Sequence, residues 1–326
     1  MLAPWSFMNR KLRFLPLLAA GALCAISAAS VPLLRAQNIT LEGQTGGFIT
    51  PTAYVLYTAP GEKFSHPAVS YHFVNTSQVI GLVQTASILE GYANRAEVGY
   101  TRSIHTMGND PVFSRIWNYD GMNIFSGKFV VLPEDMQSFW KPAVAVGGIL
   151  RTQDHFVTGY VDGKSHTNGD VYVVVSKMRL KGPVPFMANL GWKATNSEML
   201  GLGGEATRFG GRLFGGLGFP LPGPWGTAIV PAAGFTQEPP QVKNLGPSNG
   251  IYLVGGKAHL PTTMDYAVRV TQKKNPHFSF DIGIGQVAGR IGNTLVPTGI
   301  PSYPYAPMTV NLKARNVVGG GLSYRY

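Results

Sequence analysis

His277-Phe278-Ser279-Phe280-Asp281-Ile282-Gly283-Ile284-Gly285 places Phe or Ile at every even position and a polar residue or Gly at every odd one. Side chains along a β-strand point alternately to opposite faces, so this run has one apolar and one polar face. The same period recurs in Tyr266-Ala267-Val268-Arg269-Val270-Thr271. It recurs from Phe186 to Thr195, where Phe186, Ala188, Leu190, Trp192 and Ala194 oppose Met187, Asn189, Gly191, Lys193 and Thr195. A soluble sandwich carries such strands with the apolar face inward. The two ends of the chain argue for the opposite arrangement.

At the amino end, Asn9-Arg10-Lys11-Leu12-Arg13 is followed by an apolar run from Phe14 to Ile26 and by the small residues Ser27, Ala28, Ala29 and Ser30. That order predicts a signal peptide over 1–29, cleaved after Ala29. Cys24, the one cysteine, lies inside the apolar run behind Leu23, a poor lipidation context, so residues 30–326 carry no disulfide. No other stretch is long and apolar enough for a membrane helix, and membrane insertion falls to strands. At the carboxyl end, Gly321, Tyr324 and the terminal Tyr326 resemble the C-terminal assembly signal of bacterial outer-membrane proteins. The resemblance implies an all-β, antiparallel transmembrane β-barrel in a Gram-negative outer membrane. Its implied partners are outer-membrane lipid, lipopolysaccharide and the barrel-assembly machinery.

Composition agrees with that class. Charged residues are 13%, about half the usual share of a soluble protein, while 41 Gly and 11% aromatics suit short, close-packed strands with interfacial rings. Tyr71, Phe73, Tyr100, Trp192, Tyr324 and Tyr326 are the expected interfacial rings. The net charge of +11 falls to +8 when Arg10, Lys11 and Arg13 leave with the signal. Export and low charge density exclude nucleic acid as the partner.

Alternation predicts strands at about 38–44, 67–75, 84–92, 95–105, 122–132, 142–152, 170–180, 185–195, 207–218, 227–236, 250–260, 264–273, 277–287 and 312–326. That is about 14, within a range of 12–16, in one domain over 30–326. Long loops are expected at 105–121, 237–249 and 288–311. With a periplasmic C-terminus, 237–249 then falls on the short-turn side, so the count conflicts with the usual alternation of short turns and long loops. The segment 108–120 reads as a surface loop, with an inward-folding constriction as the alternative.

The polar phase of these strands is predominantly basic. Lys128, Lys177, Arg179, Lys193, Arg208, Arg212, Lys257, Arg269 and Arg315 fall on it, with Arg151, Lys273 and Arg325 near strand ends, against the acids Glu97, Asp265 and Asp281. Basic side chains in a narrow lumen lower the energy of anions. Two functions are open. One is a porin-like channel favouring small anions or acidic saccharides. The other is a non-conducting barrel, filled by side chains such as Phe214, that assists exopolysaccharide export or envelope assembly.

Catalysis is not expected. His277, Ser279 and Asp281 share a face, but strand neighbours two apart lie about 7 Å from one another, beyond hydrogen-bond reach. The other histidines show no metal-ligand spacing, and Gly201-Leu202-Gly203-Gly204 fits no phosphate loop, so neither metal nor cofactor is expected.

Three further stretches carry a resemblance. Gly47-Phe48-Ile49-Thr50-Pro51-Thr52-Ala53, Gly127-Lys128-Phe129-Val130-Val131-Leu132-Pro133-Glu134 and Lys141-Pro142-Ala143-Val144-Ala145-Val146-Gly147 resemble motifs of YjbH-type outer-membrane barrels. That resemblance implies a barrel associated with exopolysaccharide production or export.

Overall fold

In the strand Phe278–Ile300, Phe278, Phe280, Ile282 and Ile284 are each about half exposed, whereas Ser279 and Asp281 between them are buried. The apolar face points outward and the polar face inward, and this inversion repeats around the molecule. Our computed structural model describes residues 38–326 except 77–80, 107–120, 155–166, 181, 183, 198, 202–204, 240–244, 249–250, 254–258, 273–276, 301–302 and 312–314. The expected signal peptide and the 108–120 loop lie outside the described residues.

The strands are β1 (Ala68–Asn75), β2 (Leu82–Tyr92), β3 (Ala96–His105), β4 (Gly121–Leu132), β5 (Ala143–Gln153), β6 (Thr167–Arg179), β7 (Phe186–Ser197) and β8 (Glu205–Gly218). They continue with β9 (Leu221–Pro222), β10 (Thr227–Gln237), β11 (Leu245–Ser248), β12 (Ile251–Leu253), β13 (His259–Gln272), β14 (Phe278–Ile300), β15 (Tyr303–Asn311) and β16 (Arg315–Arg325). Antiparallel pairing runs in chain order from β1 to β8 and on through β10, β13, β14 and β16, and β16 closes on β1. Twelve strands therefore form a closed barrel, which removes the open sheet edges that lipid does not tolerate. β9, β11, β12 and β15 lie outside this ring.

The expected count of about 14 is thus corrected to twelve. The alternating segment 38–44 is no wall strand, and 250–260 contributes only the start of β13 and the short β12 outside the ring. Removing those two restores the loop pattern. The end carrying Arg325 holds the hairpin at 93–95 and the connections 133–142, 180–185, 219–226 and 273–277. The connections 106–120, 154–166 and 238–258 all leave the opposite end. The 93–95 turn is tight because Ala93 and Asn94 both take positive φ, 50° and 53°, matching the twist of the flanking strands. The expected loop 288–311 is instead mostly strand: β14 runs on past the ring and folds back as β15.

The outward surface carries Val69, Tyr71 and Phe73 on β1, Val98, Tyr100 and Ile104 on β3, and Val171, Val173 and Val175 on β6. Leu190 and Trp192 on β7 continue it, and no described helix is long and apolar enough to cross a membrane. An apolar outside, a polar inside and a closed antiparallel ring are the arrangement of an outer-membrane barrel, and the protein resides there.

Candidate functional site

The lumen is occupied by the chain itself. From Asn38 to Thr58 nearly every residue is buried, and Ile39, Leu41, Phe48, Ala53, Val55 and Leu56 pack against inward wall residues. Ala53 and Val55 join Met122, Ile124, Val174 and Phe214, while Phe48 and Ile49 join Val74 and Val83. A segment buried this way must satisfy its backbone polar groups without water. Part is done internally, by Leu41 N–H to Phe48 O at 2.9 Å, Gly46 N–H to Asn38 O at 2.9 Å and Gly47 N–H to Thr50 O at 2.8 Å.

The wall does the rest. Glu97 accepts from Thr45 N at 3.0 Å, Thr45 Oγ1 at 2.5 Å and Leu56 N at 2.9 Å, and pairs with Lys128 Nζ at 2.8 Å. Lys128 Nζ also donates to Thr45 O at 2.9 Å. Arg151 holds Glu42 through Nε at 2.5 Å and Nη2 at 2.9 Å, and Nη2 also reaches Asp170 at 2.8 Å. Ser176 Oγ accepts from Ala53 N at 2.8 Å, and Asn189 Nδ2 donates to Pro51 O at 3.0 Å. Asn38 Nδ2 donates to Asp281, and Ser279 Oγ donates to Asn38 Oδ1 at 2.8 Å. Asn38 and Tyr57 both lie at the end carrying the C-terminus, where Arg325 Nη2 donates to Tyr57 O at 2.7 Å. The segment thus enters and leaves the barrel at one end.

Of the basic residues read from the sequence, Lys128, Lys193, Arg212 and Arg269 face inward, as does Arg151. Arg269 pairs with Asp281 at 2.8 Å, and Arg212 Nε donates to the Glu238 carbonyl at 2.7 Å. Lys177 and Arg179 do not belong to the lumen: they share the outward phase of Val171, Val173 and Val175. Lys177 is bound at the barrel end by Glu134 at 2.8 Å and by the Ser138 carbonyl at 2.7 Å, and Arg179 sits over the Phe139 ring. Arg208 and Arg315 lie in β8 and β16, and Lys257 is outside the described residues.

The acids that sequence reasoning missed are Glu42, Asp170, Glu134 and Glu238. Among the described residues the fully buried carboxylates are Glu42, Glu97, Asp170, Glu238, Asp265 and Asp281, against the fully buried bases Lys128, Arg151 and Lys193. Glu238, just beyond β10, has neither carboxylate oxygen hydrogen-bonded, and burial pushes its carboxyl above the ordinary range. The alternation of Asn168, Asp170 and Tyr172 could have revealed Asp170. It is hidden because Val171 to Val175 is continuously apolar, and the phase of such a run cannot be read from polarity.

The His277, Ser279 and Asp281 face forms no catalytic set. Ser279 and Asp281 hold Asn38, and His277 Nδ1 lies 2.8 Å from the Arg325 carbonyl. Among the described residues no three His, Cys, Asp or Glu side chains converge as metal ligands. Of the C-terminal residues, Gly321 faces His72 across the seam between β16 and β1, and Tyr324 packs on Phe278 with ring centroids 4.6 Å apart. Tyr326 is 70% exposed at the rim.

The chain belongs to the family described as "Protein of unknown function (DUF3034)", whose model matches residues 36–212 and so spans both the buried segment and β1 to β7. The YjbH-type resemblance expected from the Gly47–Ala53 motif is not shown by this match. No curated protein sequence matches. Solved structures with a similar fold include a KdgM porin in complex with disordered oligogalacturonate, at 8% identity and TM-score 0.44, covering 79% of this chain and 99% of that one. The NanC porin is similar at 10% identity and TM-score 0.40, covering 80% and 100%. The β domain of the Bordetella autotransporter BrkA follows at 13% identity and TM-score 0.36, covering 81% and 100%. None of these three likenesses bears on what this chain carries.

Proposed function

We propose that this family member is an outer-membrane barrel of porin type whose conduit is held shut by its own residues 38–58. The observation that carries the reading is the burial of that segment within the ring, anchored by Glu97, Arg151 and Asp281. The short-turn end faces the periplasm. The segment is then seated from the periplasmic side, and solutes pass only when it shifts.

The same contacts set the expected selectivity. With the segment displaced, the described lumen side chains nearly balance: Lys128, Arg151, Lys193, Arg212 and Arg269 against Glu97, Asp170, Asp265 and Asp281 on the wall and Glu238 just beyond β10. The open form is therefore weakly selective, and small polar solutes rather than acidic saccharides are its cargo. The second reading, an accessory barrel for exopolysaccharide export or envelope assembly, draws support from Phe214 and Tyr172. Both are buried in the lumen and meet edge to face with ring centroids 5.9 Å apart, which narrows the space beside the segment.

Single-channel recording of the refolded chain in a planar bilayer under a salt gradient separates these readings. Wild type is expected to stay mostly closed. Asn38→Ala with Glu42→Gln removes hydrogen bonds to charged partners, each worth about 1.5–3 kcal/mol, so open probability should rise about tenfold or more. Its reversal potential should lie near zero. Steady conductance of wild type would overturn the proposal, and silence of both folded proteins would favour the accessory role.

A further inference from the structure

We infer that a cavity between the seated segment and the opposite wall is a binding site for one monovalent cation, held by Asp265 together with Asn189 and Thr50. Asn189, Gly216, Gly234 and Asp265 face one another in a row across β7, β8, β10 and β13. The two glycines in the middle leave a floor without side chains, and above it lies a cavity of about 30 Å³ that these residues, Thr50 and Arg269 line. That volume admits about two waters, or one small ion with a water.

The polar groups nearest the two glycines are oxygens. A methyl group on Gly216 would lie 3.0 Å from Asn189 Oδ1, 3.2 Å from the Ala233 carbonyl and 3.4 Å from Thr50 Oγ1. One on Gly234 would lie 2.4 Å from Asp265 Oδ1. Asn189 turns its Nδ2 away, to Pro51 O. Asp265 is only 4% exposed, and its Oδ1 has no hydrogen-bond partner, a costly condition for a buried carboxylate. Arg269, the base lining the cavity, is engaged through Nε by Asp281 at 2.8 Å. Asp265, Asp281 and Arg269 together leave one net negative charge, which a single monovalent ion neutralises. Carboxylate, amide, hydroxyl and carbonyl oxygens are the ligands that alkali and other hard cations take. With one free carboxylate and no convergent trio of acids or histidines among the described residues, the site suits a singly charged ion rather than a divalent one.

The site depends on the seating of residues 38–58, which supply Thr50, but not on the barrel being shut, so conductance by wild type would leave it standing. The test is unfolding of the refolded full chain in sodium chloride and in N-methylglucamine chloride at equal ionic strength. Sodium should raise the unfolding midpoint saturably, and the isosteric Asp265→Asn should abolish that rise while still folding. Rubidium-soaked crystals should show anomalous density beside Asp265. Equal midpoints in the two salts, or a rise that survives in Asp265→Asn, would overturn the inference. A protonated-carboxyl infrared band that disappears in Asp265→Asn would also overturn it, because the acid would then carry its own proton.

Discussion

Glu97→Ala is expected to cost the folded barrel about 3–5 kcal/mol, the usual penalty for stranding a buried charge. Glu97 and Lys128 are both almost wholly buried, with side-chain exposures of 1% and 0%. Removing the carboxylate leaves the ammonium without its counter-charge and leaves Thr45 N–H and Leu56 N–H without acceptors. Two effects then add: destabilisation of the wall and release of the segment it holds. Urea titration of the refolded protein measures the first. Protease access to residues 38–58 measures the second. The double variant Glu97→Leu with Lys128→Met should recover much of the stability, since both charges leave together. It should not restore protection of the segment, because the orphaned N–H groups remain. Full protection in Glu97→Ala would show that the apolar contacts of Ile39, Phe48 and Leu56 suffice to seat it.

Gly321→Ala should impair folding through His72. The two residues are partners across the β1–β16 seam, and a methyl on Gly321 would stand 2.0 Å from His72 Cδ2. The ring has no free space to move into: His72 is 0% exposed and lies edge-on to Phe48 of the lumen segment, with ring centroids 5.9 Å apart. Overpacking of this kind costs about 1–3 kcal/mol. Because β1–β16 is the closing seam, the loss should appear as a lower yield of the compact, heat-modifiable form. His72→Ala in the same chain should restore refolding in detergent, where no assembly machinery is present. If the double variant refolds but still fails to assemble in cells, Gly321 is read by that machinery as well.

Much of the wall was legible in the residues because lipid and lumen impose the same two-residue period that a strand imposes. Phe278, Phe280, Ile282 and Ile284, and Leu190 and Trp192, face outward as their alternation implies. The period fails where one face is ambiguous. In β6 the run Val171 to Val175 conceals the phase, so Lys177 and Arg179, expected inward, lie on its lipid-facing phase at the barrel end. Ile39 and Leu41 alternate with Asn38, Thr40 and Glu42 as a strand would, yet among the described residues this segment bridges only to itself, Ile39 to Thr45 and Gly46 to Pro51. Alternation reports two unlike faces, not whether the outer one is lipid or a barrel wall. Pro297, Pro304 and Pro307 argue for a loop but sit in the β14–β15 hairpin, where an edge tolerates proline. The lumen was illegible for a different reason. The acids that neutralise its bases come from distant parts of the chain, as with Glu42 and Arg151, 109 residues apart. A listing of bases by strand phase cannot supply their partners.

Residues 38–58 occupy the lumen. Ala53 N lies 2.8 Å from Ser176 Oγ, and residues 30–326 contain no native cysteine to interfere. Introducing Ala53→Cys and Ser176→Cys and isolating outer membranes without reductant tests the placement directly. A spontaneous disulfide is expected, seen as a reductant-sensitive mobility shift, with neither thiol open to a water-soluble maleimide. Two free thiols that label readily in the folded barrel would contradict it.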